Sequence, residues 1–125
     1  MSENIILTTG IYDLIKDHVR RKKVTIEEEN LLLEELKHAS QVLRKDLPED
    51  IVTVNASVTY KEHNADVEKT VTFVGPKNSK PSKNKISILS DEGLAMVGYK
   101  TGDLVEWPAK KGNLKLEIIK VEHID

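Results

Sequence analysis

The chain has 125 residues, of which 38% are apolar and 32% are charged. This combination predicts one ordinary domain, or a small domain with an appendage, around a modest core. A net charge of −2 argues against a generally basic nucleic-acid binder, and the absence of cysteine excludes a disulfide framework, a thiolate metal site and a cysteine nucleophile. The start MSENIILTTG lacks a signal-peptide pattern, and no apolar run approaches the roughly 20 residues of a membrane span. We therefore expect a soluble cytoplasmic protein.

Two helices are predicted in the N-terminal part of the chain. Residues 8–23 carry apolar side chains at steps of three and four, after a candidate cap at Thr8 or Thr9. Thr25 and Glu28 have the spacing of a capping box, so a second helix is expected to begin at about residue 26 and to end before Pro48. Its apolar positions alternate in steps of four and three, as in a coiled coil: Leu32, Leu36, Ala39, Leu43 and Leu47.

The connection between the two helices carries a run of cations followed by a run of carboxylates. The predicted hairpin tip consists of Arg20, Arg21, Lys22 and Lys23. These cations are expected in the last turn of the first helix, and the glutamates 27–29 in the first turn of the second, where each charge suits the helix dipole. An antiparallel helical hairpin explains both runs. His18 is interpreted as a packed side chain rather than a metal ligand. Five glutamates of the second helix are interpreted as a solvated surface: Glu27, Glu28, Glu29, Glu34 and Glu35.

From residue 50 the apolar pattern changes to a period of two, which predicts a small antiparallel sheet. The predicted strands cover residues 51–60, 67–75, 86–89, 103–107 and 114–124. A short helical turn, capped by Ser90 and Asp91, is expected after the third strand. Turns are expected at Gly98, Gly102 and Asp103, and at the sequence Lys111-Gly112-Asn113. The order predicts an α+β fold in which a short N-terminal antiparallel helical hairpin precedes an antiparallel β-sheet domain with one short helix.

No sequence motif for catalysis is present. The chain lacks the glycine-rich phosphate-binding patterns and H-E-x-x-H, and its four histidines are scattered over different predicted elements. The basic loop at residues 77–85 has no interleaved aromatic residue, so a stacking platform for bases is not predicted. Asp103 is interpreted as a turn cap, with a recognition role left open. We expect no catalytic residue, no metal ligand and no cofactor.

The C-terminal part of the sequence resembles a known family. The stretches ISILSDEGLAMVGYKTGDLVEW (residues 86–107) and LEIIKVEHI (residues 116–124) resemble the C-terminal domain of the bacterial Gre transcript-cleavage factors, which has an FKBP-like fold. The stretch LPEDIVTVNASV (residues 47–58) is similar to the Rnk type (regulator of nucleoside diphosphate kinase), Gre-like factors with a shortened hairpin. The resemblance divides the chain into a short coiled-coil hairpin, residues 1–49, and a Gre-like FKBP-like domain, residues 50–125.

The resemblance implies a partner and a docking surface. The Gre-like domain is expected to bind bacterial RNA polymerase at the rim of its secondary channel, with the hairpin pointing into the channel. The implied docking residues are Ser90, Asp91, Glu92, Gly93 and Leu94. Gre factors carry acidic residues at the hairpin tip that help to hold a magnesium ion in the polymerase, whereas this tip is cationic and repels one.

We therefore expect a non-catalytic regulator of transcription that competes with cleavage factors at the secondary channel. Its basic tip is expected to contact acidic polymerase surface or, weakly, nucleic acid. One alternative is an FKBP-like peptidyl-prolyl isomerase, although the chain has only three tyrosines, one phenylalanine and one tryptophan to line such a pocket. A further alternative is a coiled-coil adaptor that self-associates through the leucines at 31–33. The expected state is a monomer or a weak dimer.

Overall fold

The computed structural model describes residues 5–109 and 112–124. The chain outside these ranges includes the first residues of the predicted hairpin segment, Lys111 of the predicted turn and the C-terminal residue of the predicted domain. The elements follow in the order β1 (Ile6–Thr8), α1 (Thr9–Arg20), α2 (Ile26–His38), β2 (Ser40–Val42), β3 (Ala56–Glu62), β4 (Val67–Val74), β5 (Lys85–Ser87), α3 (Asp91–Met96), β6 (Leu104–Ala109) and β7 (Gly112–His123). Short 3₁₀ turns lie at Arg44–Asp46, Pro76–Asn78 and Pro81–Lys83. The predicted α+β class, with two helices before a mostly antiparallel sheet and one short helix, is confirmed.

Local capping explains where the two long helices begin. The Thr8 hydroxyl accepts a hydrogen bond from Ile11 N at 3.3 Å and caps α1. At α2 the predicted capping box is formed: Glu28 N donates to the Thr25 hydroxyl at 3.1 Å, and Thr25 N donates to the Glu28 carboxyl at 2.9 Å. The first helix was predicted to extend to residue 23, but it ends at Arg20, because Lys22 has a left-handed backbone with φ of 58°. Most of the cationic run therefore lies in the connection rather than in the last helical turn.

The second helix is shorter than predicted, because the residues after it form a β-strand that the sequence pattern did not indicate. It ends at His38 instead of continuing to Pro48. Ser40 N donates to Ile5 O at 2.9 Å, and β1 and β2 form a two-stranded parallel sheet. The predicted coiled-coil seam is therefore wrong beyond Ala39, and Leu43 is 60% exposed. β1 leads into α1 and β2 follows α2, so their pairing places the start of α1 beside the end of α2. The two helices therefore run in opposite directions.

The main sheet has five strands in the order β5-β4-β3-β7-β6. The pairs β4–β3, β3–β7 and β7–β6 are antiparallel, and β3 contains an irregularity between Thr59 and Tyr60 against β7. The third predicted strand was expected to be antiparallel, but β5 pairs parallel to β4, since the 3₁₀ turns of the basic loop return the chain to the same end of the sheet. Gly112, in the predicted hairpin turn, has a φ of 129° and begins β7.

One hydrophobic core joins the helices to the sheet. Ile15 and Leu32 from the hairpin, Phe73 and Leu116 from the sheet and Met96 from α3 all belong to it and are 2% exposed or less. The inner surface of the hairpin is packed on the core, where α2 contacts β6. The core is continuous across residue 49. The division of the chain there into a hairpin segment and a Gre-like domain stays a prediction.

Candidate functional site

The region predicted to dock a partner is built around the start of α3. Gly93 N donates to the Ser90 hydroxyl at 3.2 Å, which makes Ser90 the N-cap of the helix, as predicted. Ser90 N donates to Ser87 O at 2.9 Å, so the cap is also tied to β5. Asp91 and Glu92 follow in the first turn and are partly exposed. Their carboxylates suit the positive end of this short helix.

Two of the five predicted docking residues are buried. A Cβ atom on Gly93 would lie 2.2 Å from Ile88 O, so only glycine allows α3 to approach the backbone this closely. Leu94 is 3% exposed and belongs to the core. Gly93 and Leu94 therefore hold α3 in position, and Ser90, Asp91 and Glu92 are the residues that can contact a partner.

The predicted turn at Gly98, Gly102 and Asp103 connects α3 to the sheet. Gly98 has a φ of 85°, and a Cβ there would lie 2.7 Å from Cβ of Ile5, so glycine is required where the N-terminal strand crosses. The Asp103 carboxylate accepts a hydrogen bond from Lys100 N at 3.0 Å, which is the predicted turn cap. Asp103 O also accepts from Ile118 N at 3.0 Å. Gly102, with a φ of 94°, donates its N–H to Ile118 O at 2.8 Å. All three residues therefore have a structural role in the turn.

The cations of the hairpin tip are exposed and partly neutralised by nearby carboxylates. Arg20 and Arg21 both form ion pairs with Asp17, the second at 2.9 Å, and Lys22 pairs with Glu29 at 3.3 Å. The hydrogen bond from Arg20 is the main reason why the pKa of Asp17 lies below its usual value. Pairs this exposed contribute little to stability, roughly 0–1 kcal/mol each. They leave the long side chains free to exchange Asp17 for another carboxylate.

A groove of about 510 Å³ brings the hairpin tip and the start of α3 together. Arg21, Lys23 and His18 line one side of it, and Ser87 and Ser90 line the other. Leu14 and Leu89 add apolar surface, and Asp17, the ion-pair partner of Arg21, also lines the groove. His18 was predicted to be packed, and it is half-buried at the edge of this groove. Each half of this surface was predicted separately, but their juxtaposition follows from the packing of α1 into the common core.

Two carboxylates predicted to be solvated instead join α2 to the sheet. Glu28 is 1% exposed: one of its oxygens accepts from Thr25 N, and the other accepts from Trp107 Nε1 at 3.0 Å. Glu35 accepts a hydrogen bond from the Tyr99 hydroxyl, and burial raises the pKa of Glu35 to about 7. The capping-box spacing predicted the local bond of Glu28. No pattern in the sequence indicated that Trp107 would contact Glu28, or that Tyr99 would contact Glu35.

Over residues 5–109 and 112–124, no three His, Cys, Asp or Glu side chains come together in a group that could hold a metal ion. Within the same ranges, no helix has the length and apolar character needed to cross a membrane.

The geometry defines a class of α+β protein in which a helical hairpin is packed on an antiparallel-rich sheet and a capped short helix lies beside a cationic turn. Residues 47–123 match the family model described as "Transcription elongation factor, GreA/GreB, C-term". The chain belongs to this family of transcription elongation factors.

Relatives and a solved structure give the extent of the similarity. A transcription elongation factor GreA from Clostridium botulinum strain Langeland is 35% identical over 106 residues, which are 84% of this chain and 66% of the relative. Another, from strain Eklund 17B, is 34% identical over 127 aligned positions, covering 98% of this chain and 79% of the relative. The chain thus spans slightly less than two thirds of the first of these relatives. A GreA/GreB structure from Nitrosomonas europaea superposes with a TM-score of 0.71 at 28% identity, covering 98% of this chain and all of that one.

Proposed function

We propose that this protein is a non-catalytic regulator of the Gre/Rnk type, which binds bacterial RNA polymerase at the rim of the secondary channel and competes there with cleavage factors. The observation that carries the proposal is the groove that joins Ser90 to Arg21 and Lys23. Membership of the GreA/GreB family supports the choice of partner.

The chemistry of this groove indicates what it can bind. Leu14 and Leu89 offer apolar contact, while Arg21 and Lys23 outnumber the one acidic lining residue, Asp17, and add positive charge at one end. A partner surface that combines apolar side chains with acidic ones is complementary to it, and the charges favour encounter and register more than raw affinity. Asp91 and Glu92 carry the opposite charge at the start of α3. The two ends of the surface therefore favour one orientation of the partner.

The composition of the hairpin tip supports a non-catalytic role. A divalent cation prefers oxygen ligands, and carboxylates bind it best when no cation competes for them. Of the carboxylates near the tip, Asp17 and Glu29 are paired with cations and Glu28 is buried against Trp107, which leaves the exposed Glu27. A single carboxylate is a poor site for a divalent cation beside this cationic turn. The length of α1, 12 residues, corresponds to about 18 Å. A hairpin of this length, packed on the sheet, offers the polymerase a short cationic turn.

The same turn is the element proposed to contact acidic polymerase surface or, weakly, nucleic acid. The cationic side chains at 20–22 are more than 60% exposed, with values of 77%, 67% and 77%. Their number is too small for strong phosphate-backbone binding, since each neutralised phosphate contributes one counterion-release step. A monomer or weak dimer in the cytoplasm is consistent with this role and belongs to the same proposal.

A competition experiment tests the proposal. Core RNA polymerase is incubated with a labelled Gre factor, and the unlabelled protein is titrated in. We expect displacement by the native chain, and weaker displacement by Asp91→Arg and by Lys23→Glu. Glu68→Arg, on the exposed outer part of β4, makes the same change in net charge as Asp91→Arg and serves as the control. Failure of the native chain to displace the Gre factor would reject polymerase docking at this site.

A cleavage assay separates the non-catalytic part of the proposal from the docking part. Backtracked elongation complexes are incubated with the protein and Mg²⁺, and the shortened transcript is measured. We expect no stimulation above the intrinsic rate of the polymerase and inhibition of Gre-stimulated cleavage. Stimulation by the protein alone would show that it is a cleavage factor.

A further inference from the structure

We propose that the free edge of β6, together with α2, is a second docking surface, which receives an extended basic segment of a partner protein as an additional β-strand. Addition of a strand to an exposed sheet edge is a common mode of peptide recognition, in which backbone hydrogen bonds supply affinity and neighbouring side chains supply selectivity. This surface uses residues outside the groove at Ser90, so the proposal does not depend on polymerase docking.

The first observation is that β6 is the longer open edge of the sheet. In the described part of the chain it pairs with β7 alone. The opposite edge, β5, has only three residues, and Lys80 bridges to Lys85 on its outer side. An unpaired edge of this kind is a template for another strand unless it is covered.

The direction of the free backbone groups follows from the ladder between β6 and β7. Ile118 N donates to Asp103 O at 3.0 Å, and bonded pairs alternate along an antiparallel ladder. The odd-numbered residues Val105 and Trp107 therefore bond to β7, opposite Leu116 and Leu114. Leu104 and Glu106 direct their N–H and C=O groups away from the sheet. Pro108 belongs to the same outward set, where its missing N–H removes no bond from the ladder.

The second observation is a continuous groove along this edge. A cavity of about 400 Å³ lies between α2 and residues 103–107, and another of about 430 Å³ continues toward Pro108 and Leu114. Leu31, Glu106 and Trp107 line both. Leu31 is 41% exposed and Leu104 is 52% exposed, so apolar contact is available beside the free backbone groups.

The charge of the groove selects the occupant. Its exposed acidic lining residues are Glu27, Glu34 and Glu106, and Lys115 is its basic one. A strand that carries lysine or arginine at alternate positions would place its cations opposite these carboxylates. A second copy of this chain would instead bring two acidic edges together, which is unfavourable for directly opposed residues. The complementary occupant is therefore a basic segment of a different protein.

Amide hydrogen exchange measured by NMR tests the proposal. The probe is a short synthetic peptide that alternates lysine with valine and threonine, and the matched peptide has glutamate in place of lysine. With the basic peptide at saturation we expect the Leu104 and Glu106 amides to exchange at least about tenfold more slowly, as a newly bonded amide should. The amides of Val105 and Trp107, already bonded to β7, should change little. The acidic peptide should have no effect.

Variants of the groove provide the matched comparison. Glu34→Lys and Glu106→Lys should each weaken binding of the basic peptide by about 3- to 5-fold, the usual size of one exposed charge pair. Glu68→Lys, three strands away on β4, should leave it unchanged. Leu104→Pro removes the backbone N–H of residue 104, which points away from the sheet. In this variant the basic peptide should no longer slow exchange of the Glu106 amide. Native near-ultraviolet circular dichroism of the variant is the control for folding.

Three outcomes would overturn the proposal. The first is that the basic peptide leaves Leu104 and Glu106 unprotected at millimolar concentration. The second is that the acidic peptide protects them equally. The third is that these amides become protected as the concentration of the protein alone is raised, which would make the occupant a second copy.

Discussion

The buried carboxyl group of Glu28 gives the sharpest test of how the hairpin is attached to the sheet. Its two oxygens accept from two different N–H groups, one on the backbone of Thr25 and one on the indole of Trp107. Glutamine has a single acceptor oxygen in its side chain, and its amide nitrogen would face a second donor. Glu28→Gln should therefore destabilise the protein although it preserves size and shape.

The magnitude can be worked out from the groups that lose partners. An indole N–H left buried without an acceptor costs about 1–3 kcal/mol. Loss of the capping interaction at Thr25 costs about 0.5–2 kcal/mol. Glu28→Gln loses one of the two bonds and should cost about 1–3 kcal/mol, while Glu28→Ala loses both and should cost about 2–4 kcal/mol. For a chain of this length the alanine variant should lower the Tm by about 10 °C.

Urea denaturation of the native chain, Glu28→Gln, Trp107→Phe and the double variant measures the coupling directly. We expect a coupling energy of about 1–2 kcal/mol between the two side chains, since they share one hydrogen bond. Glu27→Gln is the control: residue 27 is exposed in the same helical turn, and its charge contributes at most about 1 kcal/mol through the helix dipole. Equal effects of Glu28→Gln in the native and Trp107→Phe backgrounds would refute the reasoning.

Two further predictions concern packing and pH. Gly93→Ala should destabilise the protein by about 1–3 kcal/mol in urea, because the new Cβ would meet Ile88 O, whereas Gly10→Ala, with open space around it, should be neutral or stabilising by up to about 1 kcal/mol. Burial raises the pKa of Glu35 from 4.5 to about 7, so its contribution to stability is fully present below pH 4.5 and is lost as the pH rises through 7. Stability measured from pH 4.5 to pH 8 should fall more steeply for the native chain than for Glu35→Gln; parallel curves would contradict this assignment.

The helix starts were predictable because their causes are local. Thr8 and Thr25 cap within one turn of themselves, so spacing in the sequence carries the full signal. The end of α2 was not predictable in this way. Leu43 and Leu47 continue the helical spacing, yet the chain leaves the helix after His38 because β1, more than thirty residues earlier, offers backbone partners. Pairing between distant strands overrides a local pattern that is compatible with either outcome.

The candidate site shows the same division between local and distant causes. The cap at Ser90 and the turn at Asp103 were predicted from residues within three positions of each other. The burial of Glu28 was missed, because a run of glutamates at a helix start is typical of a solvated surface. Its partner Trp107 lies 79 positions away, and single-sequence periodicity contains no information about such pairs.

The attachment of the hairpin to the sheet connects the fold to the proposed function. The groove between Ser90 and Lys23 exists only while α1 keeps its place beside α3. α1 packs on α2, and α2 is tied to β6 through Glu28, which does not line the groove. Glu28→Gln should loosen α2. The variant should therefore displace a Gre factor from RNA polymerase less well than the native chain, although the substituted residue is buried away from the partner. A hairpin that acts as an independent finger would lose nothing from this change. The displacement by Glu28→Gln is compared with that by the native chain at a temperature where the variant remains folded. The comparison distinguishes one preformed surface, made of the hairpin tip and the start of α3, from two parts that bind independently.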